Sequence, residues 1–319
     1  MKRQVHSVPS RPLRPSELRR SWLFVPGLDP IRQREGLESG ADVLVADLEE
    51  FTRAEDRPAA RVRIVALMDE CRARDVVGAV RINKLDGDGL TDLRNVMAGA
   101  PAVIFLPHAE TAAQILQLDQ EITALERELD LPAGQTEIVP TLESARGIVA
   151  AGTILTASKR VSACLLAAED LSADLDAVRG PDGAELHHVR ARFLVDCIAA
   201  GCVPIDCPFN YRDPAALSAD LGWARRIGIK AKCTVYPSQV ASIHAAFTPD
   251  GQQVNDAMDV VRCYETASSE GPVRGGKPVD PPDYNTARRL LARHAKFLHW
   301  EQSQFELPAR TMVLQIPPC

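Results

Sequence analysis

The chain has 319 residues, 45% of them hydrophobic and 25% charged, with a formal net charge of −6. That balance is an ordinary globular one, offers no basic field for nucleic acid, and includes no apolar run near the ~20 residues needed to span a bilayer. Such a length suits one α/β barrel of roughly 250 residues with extensions.

The first twenty residues, MKRQVHSVPSRPLRPSELRR, carry six Lys/Arg, three Pro and one acid. They contain no apolar h-region, so they do not read as a secretory signal. The Pro breaks predict a flexible basic arm over residues 1–19. Eight cysteines are present and none forms a CxxC pair. Reduced, buried thiols of a cytoplasmic protein are the expected state.

From residue 21 onward, short apolar runs alternate with Ala/Leu/Arg-rich segments. The runs are SWLFVP (21–26), DVLVADL (42–48), VGAVRIN (77–83), AVIFLP (102–107), EIVPTLE (137–143), ACLLAAE (163–169), VPIDCP (203–208) and AKCTVYP (231–237). Near-continuous apolar strands separated by helices predict a parallel sheet covered on both faces. Eight such units predict an α/β fold, a (β/α)8 TIM barrel, over residues 20–250. A doubly wound open sheet is the alternative, but no GxGxxG follows its first strand.

If the sheet closes, the polar tails DLEE, RINK, PHAE, LES, AED, DCPF and YPSQ emerge at one rim, where barrel active sites are built. Glu143 and Asp170 then end neighbouring strands. Two carboxylates brought together repel, and a hard divalent cation relieves the repulsion. With no His or Cys cluster beside them, the donor type points to Mg2+, with Mn2+ as the alternative. The competing reading makes them solvated loop acids or partners of Arg146 and Arg179. Arg81 lies inside an apolar strand, where an arginine needs a partner. It either offers its fork to a substrate carboxylate or oxyanion, or pairs with Asp47 or Glu49, and the two roles are compatible. Glu169 is expected on the opposite side of the sixth strand from Asp170, with Asp174 beyond the strand as a capping or solvated acid. Asp206 is expected to end the seventh strand. Lys232 is expected at the rim, meeting a phosphate or carboxylate or standing solvated. His187 and His188 read as helix surface, since residues i and i+1 point in different directions.

Ten motifs occur in order: RSWLFVPGLDP (20–30), SGADVLVADLEE (39–50), VRIN (80–83), PTLESARG (140–147), AAEDLSADL (167–175), DGAELHHVRAR (182–192), PIDCPF (204–209), AKCTVYPSQV (231–240), AFTPD (246–250) and VDPPDYNTARRLLAR (279–293). Together they resemble the HpcH/HpaI aldolase and citrate lyase β-subunit-like family. The resemblance implies a Mg2+-dependent carbon–carbon lyase that cleaves a citryl, malyl, methylmalyl or citramalyl thioester to an acyl thioester and a 2-oxo acid. Glu143 and Asp170 fall on the family's metal ligands and Arg81 on its substrate-binding arginine. Glu49 and Lys232 join Arg81 as expected substrate-binding residues. Asp280 falls on an acid that reaches a neighbouring subunit's site from a C-terminal helical lid, here residues 251–319. A homotrimer or hexamer follows by the same analogy.

The chain also departs from the family pattern. DLED reads DLEE, so Glu50 is one methylene longer. His108 stands where Lys is common, Tyr236 replaces His, and Cys207 replaces Gly. Asp29 and Glu35 stand where cations are frequent near CoA phosphates, although Arg32 and Arg34 remain. An acid in place of a cation beside a phosphate weakens binding. The expectation is therefore an intact metal and 2-oxo-acid half and an altered CoA half. A Mg2+-dependent lyase on a CoA thioester leads. An aldolase on a free hydroxy or oxo acid, and a non-catalytic binding or regulatory barrel, are the alternatives. All three imply small-molecule partners, with no nucleic acid and no membrane.

Overall fold

Alternation along each strand explains why the runs are apolar throughout. In the computed structural model, which describes residues 12–267 and 271–305, Trp22 and Phe24 point into one core while Leu23 and Val25 point into another. Side chains of successive strand residues face opposite ways, so a strand buried on both faces has no solvent side to mark with polar residues. The strands are β1 (Ser21–Pro26), β2 (Val43–Asp47), β3 (Val77–Arg81), β4 (Val103–Leu106), β5 (Glu137–Leu142), β6 (Ala163–Leu166), β7 (Val203–Ile205) and β8 (Lys232–Thr234).

All eight lie in one parallel sheet of order β7-β6-β5-β4-β3-β2-β1-β8. A parallel bridge between Asp206 and Lys232 brings the two ends together, so the sheet forms a nearly closed (β/α)8 barrel. Its interior holds Trp22, Phe24 and Phe105, with Phe105 meeting both rings edge-on at 5.6 and 5.4 Å. A second layer, including Leu44, Ile64 and Leu67, packs between the barrel and its helices.

The chain divides into two units, residues 1–247 and 248–319. In the second unit, helices Gly251–Glu265 and Pro281–Phe305 flank a short hairpin, and Tyr264 stacks on Tyr284 at 4.4 Å. Among the described residues, no helix is long and apolar enough to cross a membrane.

Two expectations are corrected. The basic arm is not free over all of 1–19: residues 1–11 lie outside the described residues, but Ser16–Leu18 form a 3-10 turn with Leu18 buried. Arg19 donates to both Glu137 carboxylate oxygens, at 2.7 and 2.8 Å. This end of the arm is tied to the start of β5, at the N-terminal end of the barrel. Strand β6 also ends earlier than expected, at Leu166, and Ala168–Asp174 is a helix. The helix starts at Ala167 with no side-chain cap, so the sequence carries no capping residue to mark its beginning.

Candidate active site

Register places the first site pair. Asp47 and Arg81 are direct partners across β2 and β3, and each lies an even number of residues after inward-facing Val45 and Ala79. Both therefore point into the barrel at its C-terminal end. Asp47 accepts from Arg81 Nε and Nη2, each at 2.7 Å, and from the backbone N–H of Glu49 and Phe51. Arg81 Nη2 also donates to Glu50 at 2.9 Å, and Nη1 lies 3.0 Å from a Glu49 oxygen. The guanidinium sits between the rings of Phe24 and Phe51, at 5.2 and 5.7 Å. Burial opposes its charge, but Asp47, Glu49 and Glu50 more than offset this and hold its pKa well above the usual value. Gly27 closes the neighbouring loop: its N–H donates to the Asp47 carbonyl, and a Cβ there would meet that oxygen at 3.0 Å.

Glu143 follows β5 directly and is almost fully buried. His108 adopts a left-handed backbone, φ 48°, and donates its N–H to Glu143 Oε1. Glu143 Oε2 is buried without a hydrogen-bond partner. Burial, reinforced by Glu49 and Asp170, pushes its carboxyl up to about 8, against the His108 N–H and Arg81. Burial likewise raises Glu49, with Arg81 opposing. The His108 ring lies 3.6 Å from Glu49 and 3.5 Å from Glu143, and burial followed by Lys84 lowers its pKa.

Asp170 approaches from β6. It is the third residue of helix Ala168–Asp174, where the helix dipole favours a negative charge. Glu169 is therefore not on a strand face. It accepts from Asn210 at 2.8 Å and lies 3.5 Å from Arg179. Asp174 ends the helix and accepts the first N–H of the neighbouring helix, from Ala145 at 2.7 Å.

The donor chemistry fits a hard divalent cation. Glu143 has an unpartnered buried oxygen and a neighbouring like charge in Asp170, and a cation relieves both. Among the described residues no group of three or more His, Cys, Asp or Glu is arranged to hold a metal. Two carboxylates with water completing the shell is a Mg2+ arrangement.

A cavity of about 340 Å3 opens beside these residues, walled by Phe24, Phe51, Leu165, Pro208 and Val235. Tyr236 and Asn210 close its other side, and Asn210 Oδ1 is buried without a partner. Sequence reasoning does not single out Phe24, Phe51 or Asn210. Phe24 hides in an apolar run, and only the position of Phe51, directly after DLEE, offers a signal.

Lys232 is corrected outright. It opens β8 beside Ser21, bridges to Asp206 just past β7, and is fully buried with its side chain turned toward the helices rather than into the barrel. Its Nζ reaches Asp206 and Asp220, each at 2.8 Å, and donates to the Cys207 carbonyl. It is neither solvated nor able to meet a substrate. Asp206 shares that outward face and is bound by Arg190 as well. Asp280 belongs to the second unit, where it caps helix Pro281–Phe305 through the N–H of Asp283 at 2.9 Å. His187, expected at a helix surface, stacks on Trp223 at 4.2 Å.

A family model described as HpcH/HpaI aldolase/citrate lyase matches residues 20–233. Citrate lyase subunit beta of Escherichia coli (strain K12) is 31% identical over 285 residues, covering 88% of this chain and 94% of that protein. L-malyl-CoA/beta-methylmalyl-CoA lyase of Rhodobacter capsulatus is 28% identical over 312 residues, covering 90% and 98%. Among solved structures, CitE from Mycobacterium tuberculosis in complex with magnesium, acetoacetate and coenzyme A superposes with a TM-score of 0.71. It is 27% identical and covers 86% of this chain and 98% of that one.

Proposed function

The chain belongs to the HpcH/HpaI aldolase/citrate lyase family, and from that premise we propose that it cleaves or forms a carbon–carbon bond in a 2-hydroxy acid thioester with Mg2+ held by Glu143 and Asp170. Its activity class is that of a carbon–carbon lyase. The observation that carries the reading is the partnerless buried oxygen of Glu143, facing the Asp170 charge and set one residue past a strand end beside Arg81. When bound, the cation supplies Lewis-acid polarisation of the substrate's hydroxyl or keto oxygen. Arg81 is held rigid by the Asp47 fork and by two aromatic rings, so it presents fixed positive charge where an enolate or carboxylate develops. The apolar walls exclude water from that charge, which strengthens it. Asp280 is the proposed proton-exchanging group, contributed by a neighbouring subunit of a homotrimer or hexamer.

One observation favours a second reading, an aldolase acting on a free acid without CoA. Asp29 caps helix Pro30–Glu38, accepting from the N–H groups of Ile31 and Arg32 at 3.1 and 3.0 Å. An anion-binding helix terminus is thereby filled by the chain's own carboxylate.

Condensation of acetyl-CoA or propionyl-CoA with a panel of 2-oxo acids, with and without Mg2+, tests the proposal. Turnover that requires Mg2+, and a Mg2+-induced thermal shift lost in Asp170→Ala, are the expected results. Mg2+-dependent turnover of free acids alone selects the second reading. No metal-dependent shift and no turnover of either substrate class overturns both.

A further inference from the structure

We propose that the acid fragment handled by this site carries one carboxylate and an apolar substituent, and that Glu50 is the residue that turns away a second carboxylate. This rests on the lyase reading above and narrows its substrate class. Charge along the cavity decides which acid it accepts. Its charged lining side chains are one cation, Arg81, and three acids, Glu50, Glu169 and Asp170. A cation shared by Glu143 and Asp170 takes up the charge of Asp170, which leaves Glu50 and Glu169 facing the substrate.

Arg81 is already committed. A guanidinium has five N–H donors, and here Nε and Nη2 hold Asp47, Nη1 lies against Glu49 and Nη2 also holds Glu50. The Asp47 side chain is fully buried and that of Glu49 only 17% exposed, whereas that of Glu50 is 46% exposed. Glu50 is therefore the acid able to swing aside, and its departure frees a place for a single substrate carboxylate. The neighbouring arginines do not supply a second place. Arg179 is held by Glu185 at 2.6 Å and lies 3.5 Å from Glu169, and Arg212 lies over the Tyr236 ring at 5.3 Å; neither lines the cavity.

The remaining wall is mostly apolar, with Phe24, Phe51, Leu165, Pro208 and Val235, and its polar side chains, Asn210 and Tyr236, carry no charge. A second carboxylate there loses its water and finds no free cation, only the like charge of Glu50 and Glu169, whereas an alkyl or aryl group gains burial.

Calorimetric titration of the protein with Mg2+ and 2-oxo acids of matched length tests this. The wild type is expected to bind 2-oxo-4-methylpentanoate about tenfold or more tighter than 2-oxoglutarate. Glu50→Gln keeps the shape and removes the charge, and is expected to cut that ratio to about threefold or less, chiefly by tightening 2-oxoglutarate. Equal or tighter binding of the dicarboxylate by the wild type, or an unchanged ratio in Glu50→Gln, overturns the proposal. If neither acid binds in the presence of Mg2+, the lyase reading itself falls and this inference with it.

Discussion

Lys232→Ala is expected to cost stability and to leave substrate affinity untouched. In the folded protein Nζ lies 2.8 Å from both Asp206 and Asp220 and donates to the Cys207 carbonyl. Its removal leaves two buried carboxylates sharing Arg190, which reaches them at 2.6 and 2.7 Å. Stripping one partner from a buried ionic cluster costs about 3–5 kcal/mol, because the remaining charge stays desolvated. In a domain of this size each kcal/mol moves Tm by roughly 2–4 °C, so a drop of about 10 °C is expected. The acid limb of the stability curve should move as well. Burial raises the Asp206 carboxyl, but Lys232 and Arg190 outweigh it and hold it down to about 2, below the unfolded value of 3.8. A depressed carboxyl stabilises the fold above the unfolded pKa and loses that stabilisation as pH falls through the folded one. With Lys232 gone the folded value rises, so acid unfolding should begin at higher pH. Thermal unfolding from pH 3 to 7, run beside KM for the acid substrate, reads both effects. An unchanged Tm with a raised KM would refute the reasoning and return Lys232 to the substrate.

Arg81→Lys keeps the charge but loses the planar fork on Asp47, and is expected to lower kcat/KM by about 10²-fold or more. A variant within about threefold of wild type would show that fixed geometry at this position does not matter. His244 gives a pH signature at the other end of the barrel. Its Nε2 sits 2.7 Å from Ser21 Oγ, and burial, with Arg20 and Arg14 nearby, drives its pKa down to about 4 against the pull of Asp42. A histidine depressed from 6.5 contributes fully above pH 6.5 and loses that contribution as pH falls toward 4. Urea unfolding at pH 7.5 and 4.5 should therefore show an acid loss about 2 kcal/mol larger in wild type than in His244→Gln; equal losses count against it.

The strands are legible because a barrel strand is covered twice, so its apolar character is local and continuous. The placement of Arg81, Glu143 and Asp170 after or within such runs is legible for the same reason: the end of an apolar run marks the rim. The direction of a polar side chain inside a run is not local. Asp206 and Lys232 look like rim residues in sequence, yet the register of β7, β8 and β1 turns both toward the helices. The early end of β6 is hidden because Ala167 starts a helix without a cap. By itself the sequence determined the barrel and its strands, since burial on two faces writes itself into composition, and its ordered motifs determined the family. Only the tertiary structure decided which charges meet, because side-chain parity depends on strand pairing. It put Asp47 and two glutamates on Arg81, Phe24 and Phe51 on its faces, and Lys232 in a buried ion cluster on the helix side of the sheet.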